Sequence, residues 1–517
     1  MSDGRSLARS GLIVMFLNGA AIVAAFAREA TIAYYYGASA ELDAFWVALS
    51  VPRFVGESLV VATVTALIPV FAKTRAEEGE EAMVHKASNL ASVNLVGLAV
   101  FIVGYMIAAP FVIKALAPGF EPYRHNLAVR LTVLVAPITL LWGALGILKA
   151  LHNTYRRFTY PELARVLLSL GIVAALVVFA SRYGIYAMVV GFIGGLGLAM
   201  LLSTAPLSRL RKMLRLRLNF RAPEVRRYLA MLLPVLATSG IYYVHVFVDN
   251  MFASGLEHGS ISALRYATTI AAVPVTLIGT TLSTVLFPVI ADLVAHQKKD
   301  ELRTKLEQGI GFGLFVGLSS LIFLFWFASP IMRILFQRGR FSPEVTRICS
   351  TLVVIYSVGS VAAIMSGVVG KVVWAAMKVR AIVVITVMTV VANFCLNAVL
   401  VRLWGVFGLA AATAAVSWLR YSLLLLLVRR SVVKVKLTKR VTETKGLLLL
   451  IFAFLAMSWA HVLLQNTHIF RIAVLKLLCG LATVAVVYMV FGKLLKVQQV
   501  SMVISTLKSF LSRRNQR

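Results

Sequence analysis

Acidic residues are scarce in this chain: 20 Asp and Glu stand against 52 Lys and Arg, a formal net charge of +32. Charge of either sign is itself sparse, at 14% of 517 residues, whereas 60% are hydrophobic and mean hydropathy is +0.88. That much apolar surface excludes a soluble globular fold. Cysteine is nearly absent. Cys349, Cys395 and Cys479 are widely spaced in apolar stretches, match no metal or redox pattern, and read as small packing residues. No phosphate-binding loop, nucleophile elbow, HExxH helix or Asp-rich metal run occurs. The chain therefore reads as a non-enzyme without cofactor or metal. No nucleic-acid motif accompanies the basic residues, which cluster between apolar runs, so nucleic acid is not an expected partner. A cleavable leader is not expected either, because Ala27-Arg28-Glu29 lacks a small-x-small cleavage pattern.

What the chain has is apolar length. About fourteen stretches reach the roughly 20 residues that a spanning helix needs. They centre near Asn18, Ala62, Ala99, Leu140, Ile172, Gly195, Gly240, Leu277, Leu321, Gly359, Thr389, Val416, Ala456 and Val484. With the N-terminus inside, the inner loops and termini hold roughly 36 Lys and Arg against about 10 outside, so both termini are expected in the cytoplasm. The richest inner loops carry Arg209, Arg211, Lys212, Arg215, Arg217 and Arg221, and later Arg429, Arg430, Lys434, Lys436, Lys439 and Arg440. One outer loop, with Arg333, Arg338 and Arg340, departs from the rule; capping a cavity, binding an anion and chance remain open for it.

The chain also repeats itself at an offset of about 220 residues. Thr65-Ala66-Leu67-Ile68-Pro69-Val70 resembles Thr284-Val285-Leu286-Phe287-Pro288-Val289, Gly184-Ile185-Tyr186-Ala187 resembles Gly405-Val406-Phe407-Gly408, and Arg157 matches Lys378. Six helices per half restore the same orientation, so the repeats are parallel, and transporters built this way hold substrate between the halves. The expected architecture is an all-α polytopic membrane protein. It comprises a six-helix lobe over 1–220, a second over 221–435, and two extra helices with a basic tail over 436–517.

Arg28, Arg53 and Arg265 sit at or inside apolar spans, where an arginine costs roughly 2.5–3.5 kcal/mol on insertion scales. Such residues persist facing a water-filled cavity or an anionic partner. Arg53 and Glu57 are one helical turn apart and can pair, either as a self-neutralising structural pair or as an anion contact that Glu57 orients. Asp249 reads as a helix-end carboxylate or a cavity residue, and Arg265 as a snorkelling or anion-binding one. His245 and His461 lie in apolar runs, where packing is the plainer role and proton relay the alternative. Tyr34, Tyr35 and Tyr36 read as an interfacial belt.

The chain resembles the MviN/MurJ family of lipid-linked oligosaccharide flippases, within the multidrug/oligosaccharidyl-lipid/polysaccharide exporter group. The resemblance rests on Arg28-Glu29 before Tyr36-Gly37-Ala38, Asp43-Ala44-Phe45, Leu116-Ala117-Pro118-Gly119-Phe120, Asn153-Thr154-Tyr155-Arg156-Arg157-Phe158, Val248-Asp249 with Phe252-Ala253-Ser254, and Leu335-Phe336-Gln337-Arg338-Gly339-Arg340-Phe341. It implies a two-lobed bundle with a cationic cavity lined by spans one, two, seven and eight, and a groove for the polyprenyl tail formed by the last two spans. It also implies a polyprenyl-diphosphate-linked glycan as partner, usually the peptidoglycan precursor lipid II, moved from the inner to the outer leaflet of the bacterial cytoplasmic membrane. Membrane lipids and cell-wall synthesis proteins are further implied partners. The candidate substrate residues are Arg28, Arg53 and Arg265 with the carboxylates Asp43, Glu57 and Asp249. The chain departs from the family at three places: Ile22 and Gly56 stand where many members carry arginine, and Thr268-Thr269 where they carry Asp-Arg. A flippase for an exopolysaccharide or O-antigen precursor is therefore the alternative. A cation-coupled drug exporter fits less well, since such exporters favour acidic cavities. The driving force is expected from the membrane potential, an ion gradient or the substrate gradient.

Overall fold

An apolar run in lipid has no water to satisfy its backbone, so it must close its own hydrogen bonds as helix. The computed structural model describes residues 2–155, 157, 159–207, 217–433 and 454–458, and regular structure there is helical, with no strand among the described residues. In chain order the helices are α1 (Ser2–Tyr36), α2 (Ala40–Glu77), α3 (Glu80–Leu116), α4 (Pro122–Val135), α5 (Ile138–Thr154), α6 (Thr159–Tyr183), α7 (Tyr186–Thr204), α8 (Pro223–Ala253), α9 (Ser260–Ala271), α10 (Thr280–Ala295), α11 (Lys299–Leu335), α12 (Pro343–Ala375) and α13 (Val379–Ser431).

Ten of the described segments are long and apolar enough to cross a membrane. Where the helices differ from the expected spans, the reasons are local. Spans eleven and twelve form the single 53-residue α13, interrupted at Gly405, whose φ of 54° no L side chain adopts readily. Span four is α4 and α5 in series, broken at Pro137. Span eight is not continuous: α9 gives way to a π-helical turn, Val275–Gly279, just after Pro274, and then to α10. Span seven is the 31-residue α8. Most of span thirteen, all of span fourteen and His461 lie outside the described residues.

Contacts divide the chain into two units, Met1–Ser262 with Arg338–Ser342, and Ala263–Gln337 with Pro343–Arg517. This boundary falls later than residue 220, because α8 packs along α2 and α3. In the first unit α6 and α7 lie closest. Gly191 and Gly195 form a small-xxx-small stripe, and a Cβ on Gly195 would stand 2.8 Å from the Leu168 carbonyl oxygen. In the second unit α12 is the central helix, with α10, α11 and α13 around it. Its core includes Ile290, Leu306, Val368 and Val372, all fully buried.

The repeat has a backbone signature. Gly184, between α6 and α7, and Gly405, inside α13, share a φ of 54°. The match at these two positions thus preserves a left-handed turn between the fifth and sixth spans of each half. Near the α5–α6 connection, Tyr155 hydrogen-bonds Glu80 and lies under the Arg75 guanidinium at 4.3 Å. Burial first, and then the Glu80 carboxylate, push its phenol up to about 12.

Candidate functional site

Two ion pairs lie inside the first two spans of the first unit. On α1, Arg28 Nη2 donates to Glu29 Oε1 at 2.7 Å, and Glu29 is 2% exposed. On α2, Arg53 Nε donates to Glu57 Oε1 at 2.8 Å, the one-turn pairing that the spacing allows. The other Glu57 oxygen accepts the hydroxyl of Tyr243 from α8. Tyr243 in turn packs against Phe54, with ring centroids 5.1 Å apart. Glu57 is thus held from two sides, which fixes the Nε edge of the Arg53 guanidinium. A guanidinium oriented in this way is suited to a phosphate, which it meets with a planar fork of donors. Sequence reasoning missed Tyr243; an aromatic hydroxyl inside an apolar span was the available signal.

Arg28 and Glu57 line one cavity of about 480 Å³ within the first unit, walled by α1, α2, α5, α6 and α7. Ile22 is on this wall, so the first departure from the family pattern leaves an apolar surface where a cation would stand. Gly56 has a steric explanation. The Trp142 side chain of α5 occupies the space in which a Cβ would lie, so no side chain, least of all arginine, fits at position 56. The α2 charge instead sits one turn earlier, at Arg53.

Asp43 lies elsewhere. It is 1% exposed and is consumed by backbone: Oδ2 accepts the Gly259 amide at 2.7 Å, and Oδ1 accepts the Ser262 amide at 2.8 Å and hydroxyl at 2.6 Å. It therefore caps the start of α9, with the buried Arg124 nearby as counter-charge. The expectation that Asp43 faces substrate is not what its surroundings provide. Asp249 is half-buried on α8 in the first unit. Arg265 belongs to the second unit, half-buried on α9, and its carbonyl accepts the hydroxyls of Thr268 and Thr269 at 2.9 Å each. All of the six candidates but Arg265 lie in the first unit, where Arg28 and Glu57 line the cavity and Arg53 is paired to Glu57.

Two sequence elements meet in the first unit. The Arg340 amide donates to the Tyr34 carbonyl at 2.9 Å. Gly37 and Gly339 have φ of 58° and 57°, and a Cβ on either would collide with the other element, at the Arg340 carbonyl and the Tyr34 carbonyl respectively. The basic loop that breaks the charge rule is therefore docked on the end of α1.

A family model described as lipid II flippase MurJ matches residues 32–478. The chain belongs to the lipid II flippase MurJ family. A curated member, lipid II flippase MurJ of Burkholderia cenocepacia, is 27% identical over 417 residues, covering 79% of this chain and 81% of its own. Among solved structures, a lipid II flippase MurJ in an inward closed conformation aligns over 93% of this chain and 99% of its own, with a TM-score of 0.76 and 21% identity. A multidrug resistance MATE family transporter of the MOP superfamily, in an inward-facing conformation, aligns over 80% and 94%, with a TM-score of 0.62 and 14% identity. At these identities the structural matches show the shared fold. This MurJ-family chain is accordingly a multi-pass membrane protein, helical throughout its regular structure among the described residues.

Proposed function

We propose that this chain carries lipid II, a polyprenyl-diphosphate-linked glycan, from the inner to the outer leaflet of the bacterial cytoplasmic membrane by alternating access. The observation that carries the reading is the MurJ family match across 32–478. The oriented Arg53 and the Arg28 pair support it, because a lipid diphosphate entering an apolar bundle needs fixed guanidinium forks. In this reading Arg28, Arg53 and Arg265 hold the diphosphate, while Glu57, with Tyr243, sets the Arg53 rotamer. The chain does no covalent chemistry. Both termini are cytoplasmic, and the two compact units, divided after Ser262, are the lobes that rock. The apolar segment 436–517 serves the polyprenyl tail.

An anion moving outward is driven by an inside-negative potential worth about 2.3 kcal/mol per charge per 100 mV. That drive needs no bound nucleotide. The test is genetic: expression in a bacterium depleted of its own lipid II flippase. Restored growth and wall synthesis support the reading. Lysis despite normal insertion of the chain would contradict it, and would favour a different polyprenyl-linked glycan, to which the departures at Gly56 and Thr268-Thr269 also point.

A further inference from the structure

The far end of the first unit's cavity holds a second polar cluster that the transport reading does not use. Lys149 on α5 and Arg165 on α6 stand on the cavity wall, and both flank one carboxylate, Glu162. Lys149 Nζ lies 4.0 Å from Glu162 Oε1, and Arg165 Nη2 bonds both Glu162 Oε2 and the Asn18 side-chain oxygen of α1. Two cations thus share one anion. On a helix rising about 1.5 Å per residue, Lys149 stands about 8 Å from the end of α5 and Arg165 about 9 Å from the start of α6. By the same rise, Asn18 is about 15 Å along α1 from Arg28, so the cluster is a station distinct from the Arg28–Glu57 end.

His152 on α5 is a second, independent sign of a ligand. It lines the same cavity and is fully buried. Its Nε2 lies 2.8 Å from the Ser203 carbonyl, which can only accept, so Nε2 carries the proton and Nδ1 is left as an acceptor. No described group meets that Nδ1. A buried acceptor without a donor costs about 1–3 kcal/mol, which a ligand hydroxyl would recover. Between the two polar ends the walls are apolar, including Leu145 and Leu168.

We propose that this end of the cavity binds an anionic phospholipid. Its phosphodiester would sit between Lys149 and Arg165, a headgroup hydroxyl would donate to His152 Nδ1, and an acyl chain would occupy the apolar part. The occupant comes from the bilayer because the cavity lies among spanning helices. Basic pockets between such helices near their ends suit lipid phosphates, and the volume is in the range of small-molecule sites. The assignment stands apart from the transport reading and does not require it.

The test uses the full-length chain reconstituted in mixed phosphatidylcholine and phosphatidylglycerol, followed by native mass spectrometry of the lipid retained on extraction. The wild type should retain phosphatidylglycerol over phosphatidylcholine. Lys149→Gln with Arg165→Gln should lower that retention roughly tenfold or more, as for loss of charge-assisted contacts. Glu162→Gln should raise it, because both cations are released to the lipid; a purely structural ion cluster would not give this increase. Leu168→Trp should abolish it by filling the apolar part, and decides the matter if the double variant does not fold. Equal retention of the two lipids by the wild type would overturn the proposal. So would unchanged retention in the folded charge variants or in Leu168→Trp. Displacement of phosphatidylglycerol by an equal concentration of farnesyl diphosphate would also overturn it, by assigning the site to the diphosphate path.

Discussion

Asp43 accepts both the backbone amide and the hydroxyl of Ser262, a residue 219 positions away in sequence, at 2.8 and 2.6 Å. A third bond comes from the Gly259 amide, so one buried carboxylate fixes the turn that launches α9, the helix bearing Arg265. The role of Asp43 is thus to hold backbone in place.

Asp43→Asn keeps the shape but replaces one acceptor oxygen with a donor facing an amide. It should lower the stability of the purified protein by roughly 1.5–3 kcal/mol, read as a drop in melting temperature in detergent. Ser262→Ala removes only the hydroxyl and should cost less, about 0.5–1.5 kcal/mol. An Asp43→Asn protein as stable as wild type would place the carboxylate outside the α9 cap.

The Gly37–Gly339 joint predicts a position-specific intolerance. Gly37→Val or Gly339→Val imposes a β-branched side chain on a left-handed backbone and pushes a Cβ into the opposing carbonyl. Either should reduce the yield of folded protein sharply, whereas Gly104→Val, in open space on α3, should not. Equal yields from all three would show that the joint is not formed.

Position 56 gives a third expectation. Gly56→Arg, which restores the residue many family members carry, should fail to complement, because the Trp142 side chain fills that space. Gly56→Arg combined with Trp142→Ala should recover part of the activity in a growth assay. Full activity of Gly56→Arg alone would refute the steric account of the departure.

Legibility in the sequence followed the range of the interaction. The spans were legible because composition over 20 residues decides them, and the Arg53–Glu57 pair because four residues set one helical turn. The Gly184–Gly405 match was legible as a repeat, though its left-handed turn was visible only in the backbone. The role of Asp43 was not legible, since its partners lie 216 and 219 residues away and its type alone is equally consistent with a cavity carboxylate. Tyr243 and Trp142 were hidden for the same reason: each acts across helices, on Glu57 and on Gly56. The break in span eight at Pro274 was missed because apolar composition is continuous through it.

Topology gives a fourth expectation. Single cysteines at Arg211 and Lys436, in a chain lacking its native three, should resist an impermeant thiol reagent in intact cells and react after permeabilisation. Ready labelling from outside would contradict the cytoplasmic placement of the basic linkers.

The most direct test of the central claim is equilibrium binding of lipid II to purified Arg28→Ala, Arg53→Ala and Arg265→Ala, each compared with wild type at matched folding. Each substitution should weaken binding about ten- to a hundredfold, the worth of a charge-assisted contact of roughly 1.5–3 kcal/mol. Arg→Lys should recover only part, since an ammonium lacks the fork. Glu57→Gln and Tyr243→Phe should be milder than Arg53→Ala, because they orient the cation rather than supply it. Wild-type affinity in all three Ala variants would contradict the account and leave the arginines as snorkelling or paired structural residues.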